Sequence, residues 1–235
     1  MTRIAEFGWR GKEEPGIGRI VSAHGDYYHL VCNETGGEIL ARKKKSAFAK
    51  RIESVQESGG LRRVQRGEIG DEVLKPITGD FVRFRYNAQG ESMILELLPR
   101  FSHFERKDPT ARRKSQTLAV NFDTLFIMMS LNENFSTARM ERYLDLASDV
   151  GDAEFVAVVT KMDLREDGDV EFLAALETTV AGRARILHIS AHTGEGMEAV
   201  MEYVKPRRTL AFIGSSGVGK STLVNSLAGD DWMAT

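Results

Sequence analysis

Gly214-Ser215-Ser216-Gly217-Val218-Gly219-Lys220-Ser221-Thr222 decides how the rest of the chain is read. It fits G-x-x-x-x-G-K-[ST], a loop whose backbone cradles phosphates. Glycines reach backbone angles closed to other residues, so successive N–H groups can turn inward as an anion nest. Leu210-Ala211-Phe212-Ile213 reads as the buried strand feeding the loop, and Leu223, Val224 and Leu227 follow it at helical spacing. The helix N-terminus then also faces the phosphates. In this setting Lys220 is the candidate catalytic group, reaching the β- and γ-phosphates, and the Ser221 hydroxyl is the expected Mg²⁺ ligand. A bare glycine-rich turn is the plainer alternative, and the nine-residue match between a strand and a helix weighs against it.

Upstream of the loop, apolar runs alternate with helical stripes. Thr124 to Ser130 is too apolar for an exposed edge and suits a central parallel strand, with Leu118 to Val120 as strand material before Asn121. Met140, Tyr143, Leu144 and Ala147 form a helical stripe. Phe155 to Val159 reads as a second buried strand, followed by a helix carrying Val170, Leu173, Leu176 and Val180. Ile186 to Ile189 is the next strand, followed by a helix carrying Met197, Val200 and Val204. Strand alternating with helix predicts a doubly wound α/β sheet, in which ligands sit at the carboxyl ends of the strands.

Two short motifs lie at those ends. Thr160-Lys161-Met162-Asp163 directly follows the Phe155 to Val159 run and resembles the [NT]-K-x-D guanine-specificity element of GTPases. An Asp163 carboxylate can accept from N1–H and the exocyclic N2–H of guanine together, whereas adenine presents an acceptor at N1. Sites that pair buried polar edges discriminate far better than apolar pockets. The Lys161 stem can lie over the base. Thr160 stands where the element more often has Asn, the position that supports the phosphate loop. The plain alternative is that Asp163 caps a helix. Ser190-Ala191 follows the next strand and resembles the S-A element whose backbone N–H meets the guanine oxygen. His188 and His192 beside it are read as structural.

The composition is that of an ordinary globular chain of 235 residues, 42% hydrophobic and 28% charged, long enough for two modest domains. A net charge of −2 conceals two unlike halves. Residues 1–114 carry 22 Lys and Arg against 16 Asp and Glu, and the remainder carries 10 against 18. A basic half beside an acidic one suggests a polyanion-binding module joined to a different domain. Cys32 is the only cysteine, which rules out an internal disulfide and fits a reducing compartment. One Cys and five scattered His give no zinc site of the usual spacing. No apolar run approaches the ~18 residues that span a bilayer, and a cytoplasmic protein is expected.

The basic half alternates apolar and polar residues over Gly18 to His24 and Tyr27 to Cys32, about a Gly25-Asp26 turn. Glu38 to Ala41, Phe81 to Tyr86 and Ser92 to Leu98 read as three further strands. Five short strands with a long excursion after the third fit an OB-type barrel. The excursion holds Arg42, Lys43, Lys44, Lys45, Lys50 and Arg51, which are read as RNA-phosphate contacts, with Arg62, Arg63 and Arg66 beside them. Trp9 is read as a packing anchor. Tyr27, Tyr28, Phe48 and Phe81 have faces suited to base stacking, but the core reading is preferred for all four. Domains are expected at 1–99 and 118–235, with a Pro- and Arg-rich linker at 100–117.

Base-reading motif, then Ser-Ala, then phosphate loop is a rotated order, since ordinary GTPases begin with the phosphate loop. A basic OB-like domain followed by this order resembles the circularly permuted, ribosome-small-subunit-dependent GTPases of the RsgA/YjeQ family. Gly16-Ile17-Gly18-Arg19-Ile20-Val21, Gly79-Asp80-Phe81-Val82, Leu98-Pro99-Arg100, Asn121-Phe122-Asp123 and Arg142-Tyr143-Leu144 are also similar to that family. The fold class so implied is an N-terminal all-β OB-type barrel plus a circularly permuted α/β P-loop GTPase domain. The resemblance implies GTP or GDP with Mg²⁺ as cofactors. It implies a role as a GTP-hydrolysing assembly factor of the small (30S) ribosomal subunit, with hydrolysis stimulated by that subunit. The small subunit and its rRNA are the implied partners, with no membrane, and a monomer is expected. The family continues past the phosphate-loop helix with a switch threonine, a D-x-x-G segment and a zinc module. Only 14 residues follow Ser221, so the GTPase domain is expected to be incomplete and hydrolysis by these 235 residues weak or absent. Two other readings compete: an RNA-binding module with a degenerate nucleotide domain, and an ATP-using P-loop enzyme.

Overall fold

A computed structural model describes residues 4–35, 37–43, 75–106, 116–131, 136–147, 150–151 and 153–229. They fall into two units that divide between Arg100 and Phe101.

The first unit is a closed barrel of five strands: β1 (Ile17–His24), β2 (Tyr27–Cys32), β3 (Ile39–Lys43), β4 (Phe81–Arg85) and β5 (Ser92–Leu97). They close in the order β1-β2-β3-β5-β4. The β1–β2 hairpin turns at Gly25, whose φ of 63° suits a residue without Cβ. Along β2, Tyr28, Leu30 and Cys32 point inward and are buried, while Tyr27 and His29 point outward, the period of two that a pleated strand imposes. The inward set meets Ile20, Ala41, Val82, Phe84 and Ile94. β3 runs parallel to β5, Ala41 opposite Ser92, and parallel neighbours need a long crossover. The excursion between β3 and β4 supplies it.

The barrel also holds a buried ion pair. The Arg100 guanidinium donates through Nε to Asp80 Oδ1 at 2.7 Å and through a terminal nitrogen to Oδ2 at 2.8 Å. Asp80 is fully buried, and its Oδ2 also accepts from the Ile77 N–H. Two separated stretches quoted above, Gly79 to Val82 and Leu98 to Arg100, thus meet. Trp9 packs against Phe81 with ring centroids 5.0 Å apart. Tyr28 and Phe81 are buried as expected. Tyr27 is not: it stands on the outer surface, a correction considered below. Phe48, Arg62, Arg63 and Arg66 lie outside the described residues.

The second unit opens with a two-stranded ribbon, β6 (His103–Arg106) antiparallel to β7 (Gln116–Val120). The stretch read as a linker is therefore strand at both ends. Next comes a parallel sheet of β8 (Thr124–Ser130), β9 (Glu154–Thr160), β10 (Arg185–His188) and β11 (Leu210–Gly214), ordered β10-β9-β8-β11. Every residue of β8 is buried, as its unbroken apolar run requires of a central strand. Leu125, Ile127 and Met129 face one layer with α1 (Thr137–Ala147) and α2 (Asp169–Val180). Phe126 and Met128 face the other, with α3 (Met197–Met201) and α4 (Lys220–Ala228).

Two residues assigned to helical stripes are exposed instead. Val170, in the first turn of α2, is 55% exposed, because Leu173, Leu176 and Val180 already define the buried face. Val204 is exposed because α3 ends at Met201. Pro206 follows closely and disfavours helical backbone at the residue before it.

Candidate functional site

Because β8 to β11 all run parallel, their carboxyl ends share one edge of the sheet, and all three motifs leave from it. The phosphate-loop motif joins β11 to α4. Gly214 passes so close to β8 that a Cβ there would lie 2.7 Å from the Met128 carbonyl oxygen. Gly219, at φ 97°, is the residue from which α4 starts. Between them Ser215, Ser216 and Gly217 form the outer bend, while Val218 is buried against the α3–α4 layer. The Lys220 ammonium donates to the carbonyls of Gly214 at 3.1 Å and Ser215 at 2.7 Å, so the side chain folds across the concave side of the loop. Ser221 and Thr222 occupy the first turn of α4.

Thr160 ends β9 and is buried. Its hydroxyl lies 2.6 Å from the Val218 carbonyl and 3.2 Å from the Met129 carbonyl. A hydroxyl has one proton, and the shorter contact marks Val218 as its main acceptor. The supporting contact to the phosphate loop, which the change from Asn to Thr put at stake, is thus made by a shorter side chain. Lys161 follows in left-handed backbone, φ 62°, turning the chain into a 3₁₀ turn over Met162–Leu164. Met162 is buried, and its N–H donates to the Ile189 carbonyl at 3.1 Å, tying this turn to the end of β10.

Asp163 is exposed at the edge. Ser190, fully buried, donates its hydroxyl to Asp163 Oδ1 at 2.6 Å. The Ser190 Oγ itself accepts from the backbone N–H groups of His192 at 3.3 Å and Thr193 at 3.2 Å. With those acceptor positions taken, the Ser190 proton can only point at Asp163. This bond is the main reason the Asp163 carboxyl is held below its ordinary range, with His192 and Lys161 adding to it. Sequence reasoning missed the Ser190 side chain, having read Ser190-Ala191 only for its backbone. The available signal was a small hydroxyl residue closing an apolar strand. The Ala191 N–H has no hydrogen-bond partner among the described residues.

The phosphate loop and the Asp163 turn are therefore brought together, with Ser190 behind the second. From β11 to β10 is three strand spacings, about 14 Å. One end of that edge offers the Gly214–Gly219 loop and an ammonium folded onto it. The other offers a carboxylate fixed in one orientation. Ser221 suits a hard cation, since a hydroxyl oxygen beside an anion nest is the donor type Mg²⁺ takes together with phosphate oxygens and water.

The predicted RNA contacts are less assembled. Arg42 and Lys43 are on β3, whereas Lys44, Lys45, Lys50 and Arg51 lie outside the described residues. Arg42 is engaged within the barrel: its Nε lies 2.6 Å from Glu91 Oε2, and a terminal nitrogen donates to the Tyr27 hydroxyl. Much of its charge is answered there, so its part as a simple phosphate contact is reduced.

Residues 97–235 match the family described as RsgA GTPase. A small ribosomal subunit biogenesis GTPase RsgA 2 of Lactiplantibacillus plantarum is 36% identical over 93% of this chain and 55% of its own length. A small ribosomal subunit biogenesis GTPase RsgA of Leptospira interrogans is 33% identical over 99% of this chain and 60% of its own length. The chain thus spans little more than half the length of these curated relatives. The crystal structure of YjeQ from Thermotoga maritima superposes with a TM-score of 0.64 at 26% identity, covering 90% of this chain and 64% of that one. YloQ, described as a circularly permuted GTPase, superposes with a TM-score of 0.55 at 22% identity over 92% of this chain and 66% of that one, a likeness of fold.

Proposed function

Since this chain belongs to the RsgA GTPase family, we propose that it grips one guanosine nucleotide across the carboxyl edge of its parallel sheet and serves small-subunit ribosome assembly. Asp163 reads N1–H and N2–H of guanine, the Ala191 N–H meets the guanine oxygen, and the Lys161 stem covers the ring. The N–H groups of Ser215 to Thr222 and the Lys220 ammonium hold the phosphates, with Lys220 offsetting charge on the transferring group. The Ser221 hydroxyl would hold a Mg²⁺ ion, which would supply positive charge against the phosphates. The observation that carries this reading is the hydrogen bond from Thr160 to Val218, which fixes the base-reading turn against the phosphate loop. A single ligand that spans both motifs would draw on that tether.

In this reading the barrel is of the OB type and its basic surface contacts rRNA of the small subunit. The relatives' names support small-subunit assembly as the process, and the proposal adds hydrolysis stimulated by the subunit and a cytoplasmic location. An ATP-using enzyme is disfavoured by Asp163, which would face an acceptor on adenine.

The test is calorimetric titration of the chain and of Asp163→Asn with GDP and with ADP. Wild type should prefer GDP by a wide margin, and the variant should lose most of that preference while keeping its affinity for the phosphates. Equal affinity for GDP and ADP in the wild type would overturn the assignment.

A further inference from the structure

Thr160 has one hydroxyl proton, and its surroundings decide where that proton goes. The residue ends β9 and is 4% exposed. Its Oγ1 lies 2.6 Å from the Val218 carbonyl and 3.2 Å from the Met129 carbonyl, both of them acceptors only. Val218 is buried, and among the described residues nothing else donates to its carbonyl. Turning the proton elsewhere would strand that oxygen away from water, the costly outcome for a buried acceptor. Branching at Cβ also restricts rotation of the side chain. The hydroxyl is therefore committed to the protein.

The hydroxyl behind the base-reading turn is committed as well. Ser190 gives its proton to Asp163 Oδ1, while its own oxygen receives the N–H groups of His192 and Thr193. Guanine held as proposed above presents N1–H and N2–H to Asp163 and its oxygen to the Ala191 N–H. Of the acceptors that remain, N7 belongs to the five-membered ring, which also carries the sugar. With the phosphates in the Gly214–Gly219 loop, that ring lies on the loop side of the base. Thr160 is the residue of the base-reading motif on that side, since a Cβ added at Gly219 would lie 3.9 Å from both its Cβ and its Oγ1. An Asn at this position has two amide protons, one for the Val218 carbonyl and one to spare for a ligand. Thr has none to spare.

We infer that Thr160 leaves N7 of the base unread, so that this chain selects guanine through its N1, N2 and oxygen positions and accepts guanine nucleotides altered at position 7. The inference rests on the guanine reading above and deepens it by naming which guanines the site does not tell apart. N7 then faces water, and replacing it by a C–H group removes no bond to the protein. A site rejects an analogue strongly only where that analogue leaves one of the site's own polar groups unpaired.

The test is calorimetric titration of the whole chain with GDP, with ADP and with 7-deaza-GDP, which carries C–H in place of N7. Wild type should bind GDP and 7-deaza-GDP within about twofold of each other, less than one hydrogen bond provides. It should bind ADP far more weakly. Thr160→Asn supplies the second donor and should favour GDP over 7-deaza-GDP by about 3- to 12-fold, the range of one neutral hydrogen bond. Thr160→Ser, again with one proton, should stay indifferent, and a melting curve shows whether each variant folds. A wild type that favours GDP over 7-deaza-GDP by more than about threefold overturns the inference. Discrimination by Thr160→Ser does the same, and neither outcome depends on the Asn variant folding. A folded Asn variant that stays indifferent overturns the role given to Thr160. Equal affinity of wild type for GDP and ADP is a separate failure, which removes the guanine reading itself and this inference with it.

Discussion

Thr160→Val removes one proton and keeps the shape of the side chain. In the folded protein that proton goes to the Val218 carbonyl at 2.6 Å, with the Met129 carbonyl at 3.2 Å as a second acceptor. Both groups are buried, and an acceptor left unmet away from water costs about 1–3 kcal/mol. Part of that cost falls on global stability and part on the phosphate loop, whose backbone between Gly217 and Gly219 loses its tether to β9. We expect unfolding in urea to show a stability loss of about 1–2 kcal/mol. GDP affinity should fall by roughly 5- to 30-fold if the loop bears most of the loss, at about 1.4 kcal/mol per tenfold. Thr160→Ser, which keeps the hydroxyl, should recover most of the GDP affinity. A valine variant that binds GDP as tightly as wild type, with its stability loss intact, would show that the contact is only a fold contact. The argument that it registers base and phosphate sites would then be lost.

Ser190→Ala should raise the Asp163 carboxyl toward its ordinary value, because the hydroxyl is the main group holding it down. Asp163 must be charged to accept from guanine, so binding is lost as pH falls through its pKa. The acid limb of GDP affinity should therefore move to higher pH in the variant, and carboxyl NMR titration of Asp163 would contradict this by showing no upward shift. Gly214→Ala sets a methyl 2.7 Å from the Met128 carbonyl oxygen, and a melting curve should register a loss of about 1–3 kcal/mol, in the range of overpacked sites. Arg100→Met strands the buried Asp80 carboxylate and should cost about 3–5 kcal/mol in denaturant unfolding. Replacing both partners by apolar residues should return much of that loss, and a double variant no better than the single one would argue against an uncompensated charge as its cause.

The parallel sheet was legible because each buried strand is an unbroken apolar run and each helix repeats its stripe. β8 shows this most plainly, its alternate residues feeding two helix layers. The barrel strands were legible from their alternation. What misled were positions where pattern and surface part company. Val170 and Val204 continue an apolar stripe by spacing yet stand in water, since periodicity cannot say where a helix face stops being covered. Tyr27 was read as core because two adjacent tyrosines on one strand look alike, although a pleat must send them opposite ways. At the candidate site, motif spacing singled out Thr160, Asp163, Ser190 and Lys220. It could not find that hydroxyls on Thr160 and Ser190 do the linking, because each bond depends on which strand ends lie side by side.

The clasp at the opposite edge of this sheet bears on how the chain is made. Asp123, at the start of β8, accepts from Arg208 and from the Thr209 N–H, both at 2.8 Å, across more than eighty residues. β11 docks beside β8, the strand translated first, only after β9 and β10 have emerged. β11 therefore joins the sheet only by closing a long loop onto β8, the slow kind of step in folding a parallel sheet.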